Sequence, residues 1–114
     1  MATIYHNPRC SKSRQALGLL EEKGIVPDIV LYLETPPDPK TLKAILKKLG
    51  IHARDLLRKG EEEFRQLQLD NPSLTDNDLI AAMCTHPRLI ERPIVINGTR
   101  AVIGRPPEKV LEIF

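Results

Sequence analysis

Cys10 lies between a short run of strand formers, residues 2–6 (Ala-Thr-Ile-Tyr-His), and a segment patterned as a helix, residues 11–23. A cysteine in that place meets backbone N–H groups with no partner inside the helix, and the positive end of the helix dipole. Both favour thiolate over thiol. Arg9, Lys12 and Arg14 add positive charge within a few residues. Helix N-termini and cationic neighbours lower a thiol pKa from ~8.5 to roughly 3.5–7.5, and the same N–H groups bind oxyanions. A nucleophilic sulfur inside an anion site points to attack on a tetrahedral oxyanion or on a disulfide. The opposing reading is a buried, inert cysteine at the start of a helix.

Ser13 stands where a CxxC motif would place its second sulfur, so the motif here is CxxS. Cys10 therefore has no local resolving thiol, and another thiol must release its adduct. Cys84, beside Met83 on the apolar face of a predicted helix, reads as a small core hydrophobe. The alternative is a resolving thiol within the chain. His6 either hydrogen-bonds near Cys10 or braces the loop backbone. His52 and His86 read as surface or turn residues. Arg58, Arg92 and Arg105 are far apart, each near the end of a predicted element. Pattern alone does not separate these three from the other arginines. Two cysteines make no disulfide framework. With no CxxC and no second ligand pair at metal spacing, no metal site is expected.

The elements that must position these residues follow from periodicity and turn chemistry. Residues 2–6 read as a strand, Asn7-Pro8 as a turn, and residues 11–23 as a helix stopped by Gly24. Residues 29–33 suit a buried second strand, which completes a right-handed βαβ unit with a parallel pair. Glu34-Thr-Pro-Pro-Asp-Pro39 breaks the pattern. A helix follows over about 40–49, with Leu42, Ile45, Leu46 and Leu49 at helical spacing and Gly50 as its stop. Residues 53–57 and 61–68 read as shorter helical turns. Thr75 and Asp78 form a capping box that opens a helix to about residue 85. Residues 94–96, Asn97-Gly98 and residues 99–103 spell a hairpin with a type I′ turn, and a last helix covers 107–113. The order is β-α-β, a helical insertion over about 36–88, then β-β-α.

The composition admits one globular α/β domain over residues 1–114. The chain has 41% hydrophobic, 28% charged and 4% aromatic residues and no Trp, so its core is aliphatic. A net charge of +2 is too mild to indicate nucleic acid, and base-stacking aromatics among basic residues are missing. No apolar run approaches the ~20 residues of a membrane span. The first residues have neither a basic region nor a long apolar stretch, so no signal peptide and a cytoplasmic location are expected.

The segment Ile4-Tyr5-His6-Asn7-Pro8-Arg9-Cys10-Ser11-Lys12-Ser13-Arg14 resembles the active-site segment of the ArsC family of glutaredoxin-coupled arsenate reductases. The likeness continues through Tyr32-Leu33-Glu34-Thr35-Pro36-Pro37, Leu56-Leu57-Arg58-Lys59, residues 86–95 and Gly104-Arg105-Pro106, in order and over nearly the whole chain. It implies a thioredoxin-like fold with a helical insertion and a central mixed four-stranded sheet. It also implies that Cys10 is the nucleophile and that Arg58, Arg92 and Arg105 surround arsenate and its thiol adduct. His6, Ser13 and Arg14 match positions around the family's cysteine, and Pro93 matches the proline that is cis beside the active site. The resemblance further implies glutathione as co-substrate and glutaredoxin as partner, with no bound cofactor, no nucleic acid or membrane partner, and a monomer. Ser11-Lys12 replaces the Gly-Thr that follows the cysteine in well-characterised arsenate reductases, adding a charge and a side chain beside the oxyanion position. Two other functions fit a lone reactive cysteine. One is a monothiol redox enzyme acting on glutathione adducts, which CxxS suits. The other is a regulator like Spx, the family's transcription-factor branch, whose usual CxxC switch Ser13 removes.

Overall fold

A computed structural model of the chain describes residues 2–114. The chain gathers into two compact units. One holds the residues up to Thr35 together with Arg92–Phe114, and the other is Pro36–Glu91.

The first unit is built on a mixed four-stranded sheet of order β2-β1-β3-β4. Strand β1 (Ala2–Tyr5) runs parallel to β2 (Asp28–Val30) and antiparallel to β3 (Ile94–Asn97), which pairs antiparallel with β4 (Arg100–Ile103). The crossover between the parallel strands is helix α1 (Ser11–Glu22). Gly24 ends the helical stretch with φ +75°, a left-handed conformation that glycine adopts without a Cβ penalty. Ala16 and Leu20, one turn apart on α1, pack with Ile4 and Val95 of the sheet and with Val110 and Ile113 of the closing helix. That closing segment, Pro107–Ile113, is a 3₁₀ helix. Asn97 Nδ2 donates to the Ile113 carbonyl at 2.7 Å and an Arg100 guanidinium N–H to the Glu112 carbonyl at 3.1 Å, so the hairpin holds the end of the chain.

Two sequence expectations fail here. The second strand is shorter and less buried than the apolar run 29–33 predicts. It ends at Val30, and the N–H groups of Glu34 and Thr35 then both donate to the Leu31 carbonyl at 2.9 Å, turning the chain. Because β2 is a sheet edge, Ile29, Leu31 and Leu33 stay 50%, 37% and 39% exposed, while Tyr32 alone is buried. The hairpin turn is also displaced by one residue. Asn97 pairs with Arg100, so the loop is Gly98-Thr99 rather than Asn97-Gly98. Gly98 has φ +63° and Thr99 has no positive φ, which is the type II′ pattern with glycine first. This register leaves Asn97 within the strand, where its side chain reaches Ile113.

The second unit is helical. It contains α2 (Pro39–Leu49), α3 (Ala53–Leu56), α4 (Glu62–Gln66) and α5 (Asp76–Thr85), then a 3₁₀ turn, Pro87–Leu89. Asp38 Oδ1 accepts from the Thr41 N–H at 2.7 Å to cap α2, and Thr75 and Asp78 exchange capping bonds of 3.2 and 2.9 Å on α5. Leu42, Ile45 and Leu46 of α2 and Leu79, Ile80 and Met83 of α5 are buried. An isolated β-bridge pairs Leu57, just after α3, with Ile90 near the end of the unit. Its flanking bonds run from the Arg58 N–H to the Leu89 carbonyl at 2.8 Å and from the Glu91 N–H to the Leu56 carbonyl at 2.9 Å, and the Arg58 and Glu91 side chains meet diagonally across the bridge.

Of the first unit's glycines, only Gly104 is packed closely against its neighbours. A Cβ there would lie 2.8 Å from Pro93 Cγ and 2.9 Å from Val110 Cγ1. Gly104→Ala is therefore expected to destabilise by about 1–3 kcal/mol through overpacking, read as a lower urea midpoint. Unchanged stability would show that the 104–106 segment yields freely.

Candidate active site

Cys10 is the N-cap of α1, with extended backbone at φ −93° and ψ 123°. Its N–H donates to the Asn7 carbonyl at 3.0 Å and its carbonyl accepts from the Arg14 N–H at 3.0 Å. The loop ahead of it is held tightly. Asn7 Oδ1 accepts from the Arg9 N–H at 3.0 Å, and the Arg14 guanidinium donates to the Pro8 carbonyl at 2.9 Å. Arg14 thus acts as a clamp on the loop.

The Cys10 residue is buried, at 8% exposure. Burial pushes the thiol up. The backbone N–H of Ser13, the Arg92 guanidinium, the N–H of Lys12 and the Arg105 guanidinium all oppose it, and together they leave the thiol below its ordinary value. The side chain makes no capping hydrogen bond of full geometry, so these N–H groups act on the sulfur as dipoles. The cations that act on Cys10 are thus Arg92 and Arg105, not the sequence neighbours Arg9, Lys12 and Arg14. The reason is geometric: Arg9 and Lys12 are exposed, and Arg14 is turned back onto Pro8.

Arg92 and Arg105 reach this place from the two sides of the β3–β4 hairpin. Arg105 Nε donates to the Arg92 carbonyl at 3.0 Å, and the Gly104 N–H donates to the Pro93 carbonyl at 2.9 Å. Each arginine precedes a proline, and both the Arg92–Pro93 and Arg105–Pro106 bonds are cis. Pro93 is buried. The Arg-Pro pair at each end of the hairpin is the one sequence feature that sets these two arginines apart.

Ser13 is fully buried and joins the loop to the helix. Its Oγ accepts from the Asn7 N–H at 3.0 Å and lies 2.6 Å from His6 Nδ1. Which of the two donates in that contact depends on the ring's tautomer, because the hydroxyl oxygen can accept two hydrogen bonds and donate one. Burial, and then the Arg14 charge, push the His6 pKa down, so the ring is neutral at pH 7.

In the second unit, Arg58 pairs with Glu61 at 3.2 Å and Glu91 at 3.8 Å, and Glu61 also takes Arg88 at 3.1 Å. Cys84 is half-buried rather than a full core residue; burial, and then the Asp38 charge, push its thiol up. Both cysteines are free thiols. His52 is exposed and His86 half-buried. Among the described residues no group of His, Cys, Asp and Glu is arranged to hold a metal ion. No helix of those residues is long and apolar enough to cross a membrane.

A mixed sheet with a cysteine at the start of the crossover helix and a cis-proline just ahead of β3 defines a thioredoxin-like α/β protein. The sequence profile of the ArsC family matches residues 5–113. The chain is 56% identical to the uncharacterized protein YfgD of Escherichia coli K12, over 96% of this chain and 93% of that one. It is 55% identical to a Haemophilus influenzae protein named arsenate reductase, covering 97% of each. Among solved structures, one titled arsenate reductase from Vibrio cholerae superposes with a TM-score of 0.97 at 50% identity, covering 99% of this chain and 97% of that one. The chain belongs to the ArsC family.

Two expectations follow for the thiols and the imidazole. Alkylation of Cys10 in a Cys84→Ser protein should show a midpoint below that of an unperturbed cysteine, and that of Cys84 in a Cys10→Ser protein a midpoint above it. Arg92→Ala should move the Cys10 midpoint up. For His6 the folded pKa is the lower one, so its contribution to stability is complete above the unfolded value of ~6.5 and is lost as pH falls through the folded value. Urea titrations should show that acid loss, and His6→Asn should flatten it. The same loss in both proteins would assign it to other groups.

Proposed function

We propose that this protein is an arsenate reductase in which the Cys10 thiolate attacks arsenic, with glutathione and glutaredoxin as reductants. The observation that supports this most directly is the pairing of a buried sulfur with Arg92, Arg105 and the first N–H groups of α1, a combination suited to a tetrahedral oxyanion. Relatives named arsenate reductase point the same way.

The chemistry balances without a bound cofactor. The Cys10 thiolate forms a sulfur–arsenic(V) bond, and one arsenate oxygen leaves as water after taking up protons. The glutathione thiol then displaces a second oxygen as water, giving arsenic bonded to both sulfurs. A glutaredoxin thiolate attacks the glutathione sulfur. The electron pair of that sulfur–arsenic bond passes to arsenic, which falls to As(III), while glutaredoxin and glutathione leave as a mixed disulfide. Water then releases arsenite and restores the Cys10 thiolate. One arsenate, one glutathione and one glutaredoxin thiol give arsenite, the mixed disulfide and water.

Within this reading Arg92 and Arg105 neutralise the oxyanion with planar paired donors. The family likeness assigns Arg58 to the same oxyanion and adduct. His6, Ser13 and Arg14 hold the cysteine loop, and Pro93 shapes the backbone beside it. The protein works in the cytoplasm as a monomer. The CxxS motif also favours a second reading, a monothiol enzyme on glutathione adducts, because the buried Ser13 hydroxyl stands where a resolving thiol would.

A coupled assay with arsenate, glutathione, glutaredoxin, its reductase and NADPH tests the proposal. NADPH loss should depend on arsenate and vanish in Cys10→Ser. Arg92→Ala and Arg105→Ala should each reduce turnover about 10- to 150-fold, the range of one hydrogen bond to a charged group. NADPH loss that ignores arsenate but follows a glutathionylated substrate would establish the monothiol reading instead. Millimolar arsenate or sulfate should also raise the melting temperature more than chloride at equal ionic strength, because only the folded chain holds the anion site.

A further inference from the structure

The first unit carries a cleft of about 330 Å³ that the oxyanion chemistry leaves unused. One wall is the cysteine loop itself, His6 with Asn7–Arg9, joined to Cys10 by the Asn7 carbonyl to Cys10 N–H bond. The other wall is the turn after β2, with Leu31, Leu33 and Glu34. Its size lies at the small end of the roughly 300–1,000 Å³ typical of small-molecule sites.

The lining is mixed in a particular way. Leu31 and Leu33 keep 37% and 39% of their surface exposed on a sheet-edge turn, an apolar strip left uncovered in the first unit. Arg9 and Glu34 place opposite charges on the two walls, and neither has an ion-pair partner among the described residues. His6 is 6% exposed, and its Nδ1 is engaged by Ser13. Its other ring nitrogen makes no hydrogen bond within the described chain. A cation, an anion, a neutral imidazole nitrogen and an aliphatic strip together suit a small zwitterion with an apolar middle. An inorganic oxyanion would use none of the strip and would be repelled by Glu34.

We infer that this cleft binds the thiol co-substrate, a short zwitterionic thiol peptide of the glutathione class. Arg9 takes a carboxylate, Glu34 takes the α-ammonium, and Leu31 and Leu33 pack against the methylene stem. The inference rests on the proposed use of such a thiol and specifies where it docks. Bound there, the peptide lies against the loop that ends in Cys10, so its sulfur is delivered beside the adduct that it must attack. A peptide bound there covers the apolar strip that Leu31 and Leu33 leave exposed at the sheet edge.

The test is direct binding, with no arsenate and no turnover. S-methylglutathione, which cannot react, is titrated into the whole protein by heteronuclear NMR. Shifts should concentrate at residues 6–9 and 31–34. The wild-type protein should prefer S-methylglutathione over its des-amino analogue by about tenfold or more, the value of one hydrogen bond to a charged group. Glu34→Gln should abolish that preference while still binding both compounds weakly. Shifts confined to other surfaces, a preference that survives Glu34→Gln, or shifts at the cleft with glutaredoxin and none with the small peptide would each overturn the assignment. An inactive protein that binds the probe here would overturn only the reductase reading. An active one that binds it elsewhere would overturn only the cleft.

Discussion

A sulfur that is to become an anion inside a protein needs favourable charge delivered to it, because burial alone keeps it protonated. At Cys10 the delivery comes from two sources of different kind. The N–H groups of Lys12 and Ser13 belong to the helix that the cysteine opens, and they cost nothing beyond forming α1. The Arg92 and Arg105 guanidiniums come from the far end of the chain, and they are present only when the sheet is assembled. The rest of the first unit can be understood as the scaffold that keeps these two sources on one atom.

That scaffold is stiff where it needs to be. The loop before Cys10 is closed by side chains rather than by repeated structure: Asn7 accepts for Arg9, Arg14 donates to Pro8, and Ser13 links Asn7 to His6. A second thiol at position 13 would be a poorer hydrogen-bond acceptor and donor than the hydroxyl. The CxxS arrangement therefore serves the loop as well as the chemistry, since the buried hydroxyl satisfies a backbone donor and holds the His6 imidazole through Nδ1. Keeping His6 neutral also spares the loop a buried cation close to Arg14.

The second unit manages charge in another way. Arg58 is shared between Glu61 and Glu91, and Glu61 is shared in turn with Arg88. The Arg58, Glu61 and Glu91 side chains are partly buried, so their pairs are screened less than a surface pair would be, whereas Arg88 is exposed. The β-bridge between Leu57 and Ile90 sets the spacing, because it places Arg58 and Glu91 one residue beyond each of its partners. Any anion that takes Arg58 must compete with two carboxylates already there, which lowers its net gain from that guanidinium.

How much of this was legible in the sequence depends on the range of the interaction. The helix opening at Cys10, the Gly24 and Gly50 stops and the Thr75–Asp78 capping box are local, and spacing alone located them. The likeness of the motifs to the ArsC family carried the fold and named Arg58, Arg92 and Arg105. Periodicity failed at β2 and at the hairpin turn, because neither edge position nor strand register is written in the residues themselves. Asn97-Gly98 is a good turn pair, but Asn97 is used instead to hold the Ile113 carbonyl, sixteen residues away. The sequence also led to the wrong cations around the sulfur, since Arg9, Lys12 and Arg14 are near Cys10 along the chain. By itself the sequence determined where a reactive cysteine could form and what would open its helix. Only the tertiary structure decided which charges reach it, because Coulomb energy depends on distance through space, and the pairing of β1 with β3 is what brings residues 92 and 105 to residue 10.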